Sequence, residues 1–257
     1  MQRCIDINCD MGEGFGVYRL GADELMMPHI TSANVACGFH AGDPMIMDRT
    51  VRLARQHGVA VGAHPSFPDL WGFGRRALGA SPEEVRNYVI YQVGALEAFA
   101  RSHGVRLQHV KPHGAVYNMA ARDRRLARAL AEGVKAVNPE LIFVALANSA
   151  LEEEARELGL RVASEAFADR AYRSDGTLVP RGQPGAVLRD VDQVVRQVLS
   201  MLRDGFVQAQ DGSRVPVRPH TICVHGDTPG APDFVAALAR SLQEAGVELR
   251  PMSEVVG

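Results

Sequence analysis

Short runs rich in small and β-branched apolar residues alternate with amphipathic stretches along the chain. The runs predict strands at roughly 3–9, 30–36, 58–62, 106–111, 141–146, 161–166 and 220–225. Between them, Val191, Val194, Val195, Val198, Leu199 and Leu202 recur at the spacing of one helix face. A helix over 44–57 opens on Pro44 and stops at Gly58. Another begins at Ser81-Pro82-Glu83-Glu84, where serine caps, proline takes the first helical position and glutamate completes a capping box. Repeated β–α alternation predicts a parallel sheet covered by helices, as a barrel or a doubly wound sheet. No GxGxxG follows the first strand and no GxxxxGK[ST] occurs, so the barrel is preferred. Near 206–218, two short runs flank Asp211-Gly212, which predicts a hairpin inserted before the last strand. No linker, low-complexity segment or short repeat interrupts the chain, and residues 1–257 read as a single β/α-barrel catalytic domain.

Parity gives the first strand its meaning. Cys4, Asp6, Asn8 and Asp10 share one face, and Ile5, Ile7 and Cys9 share the other. An acidic face on a core strand suits a barrel whose interior opens into a polar pocket at the strands' C-terminal ends. Asp10 stands at that end, ahead of Gly12-Glu13-Gly14, while Asp6 could equally be an internal ion-pair partner. On the fourth strand His109, Lys111 and His113 alternate onto one face before Gly114. Lysine is rarely buried without a partner, but an ammonium there can stabilise developing negative charge. Other strand ends carry His40, His64 and His225-Gly226-Asp227 beside small residues that let a ligand approach the backbone. Asp10, His40 and His64 make a possible divalent-metal set, though the same side chains could orient substrate by hydrogen bonding. Cys37 and Cys223, beside these loops, read as small packing residues or, though no Cys–His signature appears, as nucleophiles. The loop Asp69-Leu70-Trp71-Gly72-Phe73-Gly74-Arg75-Arg76 reads as a lid whose arginines contact an anion, or as a packed surface loop.

Composition narrows the classes. Hydrophobic residues make up 46% of 257, enough for a large core, and the net charge of −2 leaves no footprint for nucleic acid. The arginines at 122, 124, 125 and 128 alternate with Leu126 and Leu130, as on a solvated helix face. No uncharged apolar run reaches the roughly 20 residues needed to span a bilayer. No apolar leader precedes the first strand, and four cysteines without CxxC spacing suggest reduced thiols. The expectation is a cytoplasmic protein without membrane or nucleic-acid partners.

Several segments resemble the LamB/YcsF family: 6–13, 32–43, Gly62-Ala63-His64-Pro65, Gly72-Phe73-Gly74-Arg75-Arg76 and Val110-Lys111-Pro112-His113-Gly114-Ala115 with Tyr117-Asn118. Phe167-Ala168-Asp169-Arg170 and Val224-His225-Gly226-Asp227 complete the order. Departures are mild: Ser66 stands where glycine is usual, and Thr228 where asparagine is common. The resemblance implies an irregular seven-stranded β/α barrel like those of glycoside hydrolases and deacetylases. It also implies the A component of a 5-oxoprolinase, acting with subunits B and C to open 5-oxo-L-proline to L-glutamate with ATP hydrolysis. With no P-loop in the sequence, the resemblance leaves the ATP site open: on this chain, or on or shared with the partner subunits. On this reading Asp10, Lys111, Asp227 and Glu13 are catalytic, with Asp10 or Asp227 as general base. Asn8, His40, His64, Arg75, His113, Asp169, Arg170 and His225 bind substrate, Arg75 or Arg170 taking its carboxylate. The alternatives are a metal-dependent deacetylase- or glycosidase-like hydrolase and a non-catalytic substrate-binding subunit.

Overall fold

A computed structural model describes residues 2–225 and 230–256. The strands are β1 Cys4–Met11, β2 Ser32–Ala36, β3 Ala60–His64, β4 Leu107–Val110, β5 Ile142–Leu146, β6 Val162–Phe167, β7 Phe206–Gln208, β8 Arg214–Pro216, β9 Thr221–Val224 and β10 Glu248–Leu249. The α-helices are α1 Asp23–Met26, α2 Pro44–His57, α3 Pro82–Ser102, α4 Gly114–Ala120, α5 Arg124–Val137, α6 Ala150–Glu157, α7 Val191–Asp204, α8 Ala231–Glu244 and α9 Met252–Val255. Strands β1 to β6 and β9 pair in parallel, and β9 pairs back onto β1, closing a seven-stranded barrel. The expected barrel is present, and the expected hairpin is the antiparallel pair β7–β8.

β1 runs two residues further than expected, β2 starts two residues later, β3 is shifted as a whole, and β10 is not expected. The third strand begins at Ala60 because Gly58, at φ 68°, ends α2 and turns the chain first. His64 is therefore its last residue. The short β10, which pairs Cys4 with Glu248 and Ile5 with Leu249, has no pattern long enough to predict.

The helices form as their ends direct. Asp43 caps α2 through the amides of Met45 and Ile46, and Ser81 with Glu84 makes the capping box of α3. Helix α5 buries Leu126, Leu130 and Val134, while its Arg124 and Arg128 pair with Glu153, Glu154 and Glu157. Gly133 lets α5 touch α3, since a Cβ there would lie 2.8 Å from Val89 Cβ. No described helix is long and apolar enough to cross a membrane.

Register places Asp6, Asn8, Asp10, Ser32, Asn34, Gly62, His109, Ile142, Val144, Ala163, Glu165, Thr221 and Cys223 on the inward face. At the N-terminal end of the barrel, Ile142, Val144 and Ala163 cluster with Met252 and Val256, so α9 plugs the floor with apolar side chains. Above that plug the interior is polar. Gly62 makes room for it, because a Cβ there would lie 2.2 Å from the His109 ring.

Asp6 sits at the lower edge of this polar core, fully buried. It accepts hydrogen bonds from Thr31, Ser32 and Thr221 at 2.5–2.7 Å. Burial pushes its carboxyl up to about 6; the hydroxyls oppose the rise and the Glu165 charge adds to it. Between 3.8 and about 6 the group is protonated when folded and ionised when unfolded. The unfolded chain then binds fewer protons, so this contribution is full below 3.8 and is lost as pH rises through about 6. The difference corresponds to on the order of 3 kcal/mol. The stability gap between wild type and Asp6→Asn, from denaturant unfolding at about pH 4 and about pH 7, should move against the wild type by up to that amount. A pH-independent gap would refute the assignment.

Candidate active site

The C-terminal strand ends converge on Lys111, which follows β4 and is 3% exposed. Its Nζ lies 2.8 Å from Glu165 Oε1, 3.0 Å from Asn8 Oδ1, 3.0 Å from Cys223 Sγ and 3.4 Å from Asp10 Oδ1. Burial opposes the ammonium charge, but Asp10 and Glu165 outweigh it and hold the lysine well above its ordinary value. Asp10 shows the reverse balance. Burial would raise it, yet His64 and Lys111 keep it well below the usual carboxylate range.

Asn8 ties this ion cluster together. Its amide donates to Glu165 and Thr221, and its oxygen accepts from Asn34 and Lys111. Asn34 also donates to Asp10 at 2.9 Å and meets His109 Nε2 at 2.8 Å. Burial and then the Lys111 charge push His109 down to about 3, so it is a neutral core histidine. Tyr117, on α4, donates to the second Glu165 oxygen at 2.6 Å. Lys111 thus serves two carboxylates, and each of these side chains has a hydrogen-bond or ion-pair partner.

A second group lies beside Asp10. His64 Nδ1 is 2.6 Å from the Lys111 carbonyl, and His113 Nε2 is 2.9 Å from that of Phe73. A carbonyl only accepts, so both of these nitrogens carry hydrogen. The remaining nitrogens, His64 Nε2 and His113 Nδ1, face each other at 2.9 Å. Asp10 Oδ1 is 3.2 Å from the former, and Glu13 Oε1 is 3.7 Å from the latter. His40 Nε2 lies 3.4 Å from Glu13 Oε1, and His40 Nδ1 has no hydrogen-bond partner among the described residues. Burial, then neighbouring histidines, hold His40 and His113 well below their ordinary value.

Ligand atoms of Glu13, His40, His64 and His113 lie within 4.8 Å of one another, a set that could hold a metal ion. Asp10, Cys223 and His225 make a second such set, so the expected trio Asp10, His40 and His64 is divided between the two. The His40 and His113 rings stack 3.8 Å apart, with an interplanar angle of 8°. Parallel rings direct their nitrogen lone pairs along separate planes, so in this arrangement one of the two, rather than both, would serve as a ligand. Gly114 brings the loops together: φ is +67°, and a Cβ would sit 2.4 Å from the Gly74 carbonyl oxygen.

A cavity of about 430 Å³ opens above these groups, lined by Asp10, His64, Lys111, His113, Tyr117 and His225. His225, at the end of β9, places Nδ1 2.9 and 3.0 Å from the two Asp169 oxygens. At the mouth, Arg75 lays its guanidinium 4.8 Å from the Phe73 ring centroid. Arg170 also lines the cavity, but its guanidinium donates to the carbonyls of Val179 and Ala186. Burial and then Arg181 bring it down to about 10. Arg76 pairs with Asp69, and Trp71 is 97% exposed.

The expected residues Asp10, Glu13, His40, His64, Lys111 and His113 thus lie together, with Arg75, Arg170 and His225 lining the same cavity and Asp169 hydrogen-bonded to His225. Asn8 lies beneath it, with its polar atoms engaged. Asp227, and with it Gly226 and Thr228, lies outside the described residues. Glu165, Tyr117 and Cys223 join the site without having been expected there. A carboxylate inside the predicted strand 161–166 is the signal in the sequence that points to Glu165.

The LamB/YcsF family model matches residues 5–257. Proteins named as the A subunit of 5-oxoprolinase are similar over nearly their whole length. One from Pyrococcus abyssi is 54% identical over 253 residues, 98% of this chain and 99% of its own. Another from Syntrophobacter fumaroxidans is 58% identical over 247 residues, 96% of this chain and 98% of its own. The crystal structure of the lactam utilization protein from Thermus thermophilus superposes with a TM-score of 0.91 at 51% identity, covering 96% of this chain and 99% of that one. The chain belongs to the LamB/YcsF family.

Proposed function

We propose that this chain is the A component of a cytoplasmic 5-oxoprolinase, opening 5-oxo-L-proline to L-glutamate with subunits B and C and with ATP hydrolysis. The observation that carries the reading is a buried lysine, Lys111, at the floor of a cavity, its Nζ 3.4 Å from an Asp10 oxygen. A five-membered lactam is an unreactive amide whose carbonyl must be polarised as negative charge develops on its oxygen. Lys111 supplies that stabilisation. Asp10 is the general base towards water. Arg75 at the mouth receives the substrate carboxylate, and His40, His64 and His113 orient the reacting groups. His64, one member of the stacked pair His40/His113, and a carboxylate from Glu13 or Asp10 are the residues that would hold a divalent cation, whose chemistry is carbonyl or water polarisation.

The test mixes the chain with its B and C subunits and measures glutamate from 5-oxoproline with and without ATP. Glutamate only in the complete, ATP-containing mixture is expected, and none from any combination removes the reading. The buried histidine–carboxylate group also fits a metal-dependent hydrolase. Chelator-sensitive, ATP-independent hydrolysis by the chain alone would favour that alternative.

A further inference from the structure

The mouth of the cavity is strongly cationic. Besides Arg75 and Arg170 it is lined by Arg122, Arg173 and Arg181, against Asp10 as the one acidic lining residue among those described. Arg122 is neutralised where it stands, 2.7 Å from Asp175 Oδ2, and donates to Thr177 Oγ1. Arg170 is tied to two backbone carbonyls. Arg173 and Arg181 are different. Both are half-buried, yet among the described residues neither guanidinium makes a hydrogen bond or an ion pair. After burial, the Arg181 charge is the next influence pushing Arg170 down, so like charges crowd this side of the cavity.

The backbone that carries the two arginines is fixed. Between β6 and α7 the chain doubles back, with Tyr172 and Leu178 in an antiparallel bridge. The Arg173 amide donates to the Thr177 carbonyl, and the Val179 amide to that of Ala171. Gly176, at φ +81°, makes the turn, and its amide returns to the Arg173 carbonyl. Arg170, 5% exposed, clamps the segment by donating to the carbonyls of Val179 and Ala186, and Ala171, Val179 and Ala186 pack together. Holding like charges at a cavity in a set geometry costs stability, which a ligand of opposite charge offsets. The rigid segment also leaves little ordering to be done on binding.

On the 5-oxoprolinase reading, the substrate carboxylate is already taken at Arg75. The second carboxylate, made by ring opening, forms on the carbonyl carbon beside Lys111. A phosphoryl group suits what is left, because its several charged oxygens match a pair of planar guanidinium forks. We propose that Arg173 and Arg181 form a phosphoryl-binding subsite at the cavity mouth, separate from the carboxylate subsite at Arg75. The group it takes is carried by a nucleotide or by a small phosphorylated molecule.

The test is calorimetric titration of the full chain with inorganic phosphate, with ATP and with 5-oxoproline. Arg173→Gln/Arg181→Gln should weaken the phosphoryl probe that binds by at least about tenfold, and 5-oxoproline by less than about threefold. Arg101→Gln/Arg240→Gln removes two exposed charges elsewhere and should leave phosphoryl affinity unchanged. Binding of ATP more tightly than phosphate identifies a nucleotide as the carrier; binding of phosphate without ATP identifies a small phosphorylated molecule. The proposal is overturned by a wild type that binds neither phosphoryl probe, or by undiminished affinity in Arg173→Gln/Arg181→Gln. Equal losses in the two double variants, or an equal loss for 5-oxoproline, also overturn it. The 5-oxoprolinase reading fails separately, as a complete assembly that makes no glutamate while this chain still binds phosphate through the two arginines.

Discussion

Lys111→Met is expected to lose at least about 10²-fold in 5-oxoproline opening, the usual effect of removing one donor to a developing oxyanion. It should also lose stability. Among the described residues Lys111 is the cation paired with Glu165, whose side chain is fully buried, and it is paired with Asp10 as well. Breaking a buried pair from one side typically costs about 3–5 kcal/mol because the other charge remains. A second substitution separates these effects. In Lys111→Met/Glu165→Gln the stranded carboxylate is gone, so unfolding free energy should recover substantially while turnover stays lost. Measuring both quantities on both variants decides the role. Wild-type turnover in either folded variant would remove Lys111 from the chemistry.

Asp10→Asn is expected to behave differently, losing turnover by about 10²- to 10⁴-fold with a smaller loss of stability than Lys111→Met, because Lys111 keeps Glu165 as its partner. Its contacts with Asn34, Lys111 and His64 all involve one oxygen, Oδ1. An amide oxygen in that position keeps the acceptor for Asn34 and Lys111, while the second oxygen is replaced by an amide NH2 that donates and cannot take a proton. Activity within a fewfold of wild type would exclude the general-base role. A melting temperature that collapsed with activity would instead mark Asp10 as a structural ion.

These two residues are also the most legible in the sequence. A carboxylate and an ammonium on the inward face of core strands break the apolar pattern, and parity alone exposes them. Glu165 breaks the same pattern, but its run, 161–166, reads as a buried strand, and its partner Lys111 lies 54 positions earlier. Only closure of the barrel brings them to 2.8 Å. Cys223 reads as packing for the same reason: its neighbour Lys111 Nζ, 3.0 Å away, comes from the opposite side of the barrel. Among the histidines, spacing identifies the strand ends but not which rings stack. The stacking of His40 on His113 depends on loop paths bent by Gly74 and Gly114, at φ +63° and +67°. The seven barrel strands are legible because each has its own apolar run. The two-residue β10 is not, because its existence depends on the edge that β1 offers it.

The apolar plug has a consequence for the order in which the chain can mature. Residues 4 and 5 pair with 248 and 249, and the floor side chains of β5 and β6 meet Met252 and Val256. A nascent chain that has emerged only as far as β9 can bring the seven barrel strands together, but it leaves Ile142, Val144 and Ala163 open to water. Contacts of such long sequence separation form late and slowly. The polar core with its buried Lys111 thus gains a dry base only once synthesis has passed α9, and until then the barrel presents a greasy opening at the end opposite its chemistry.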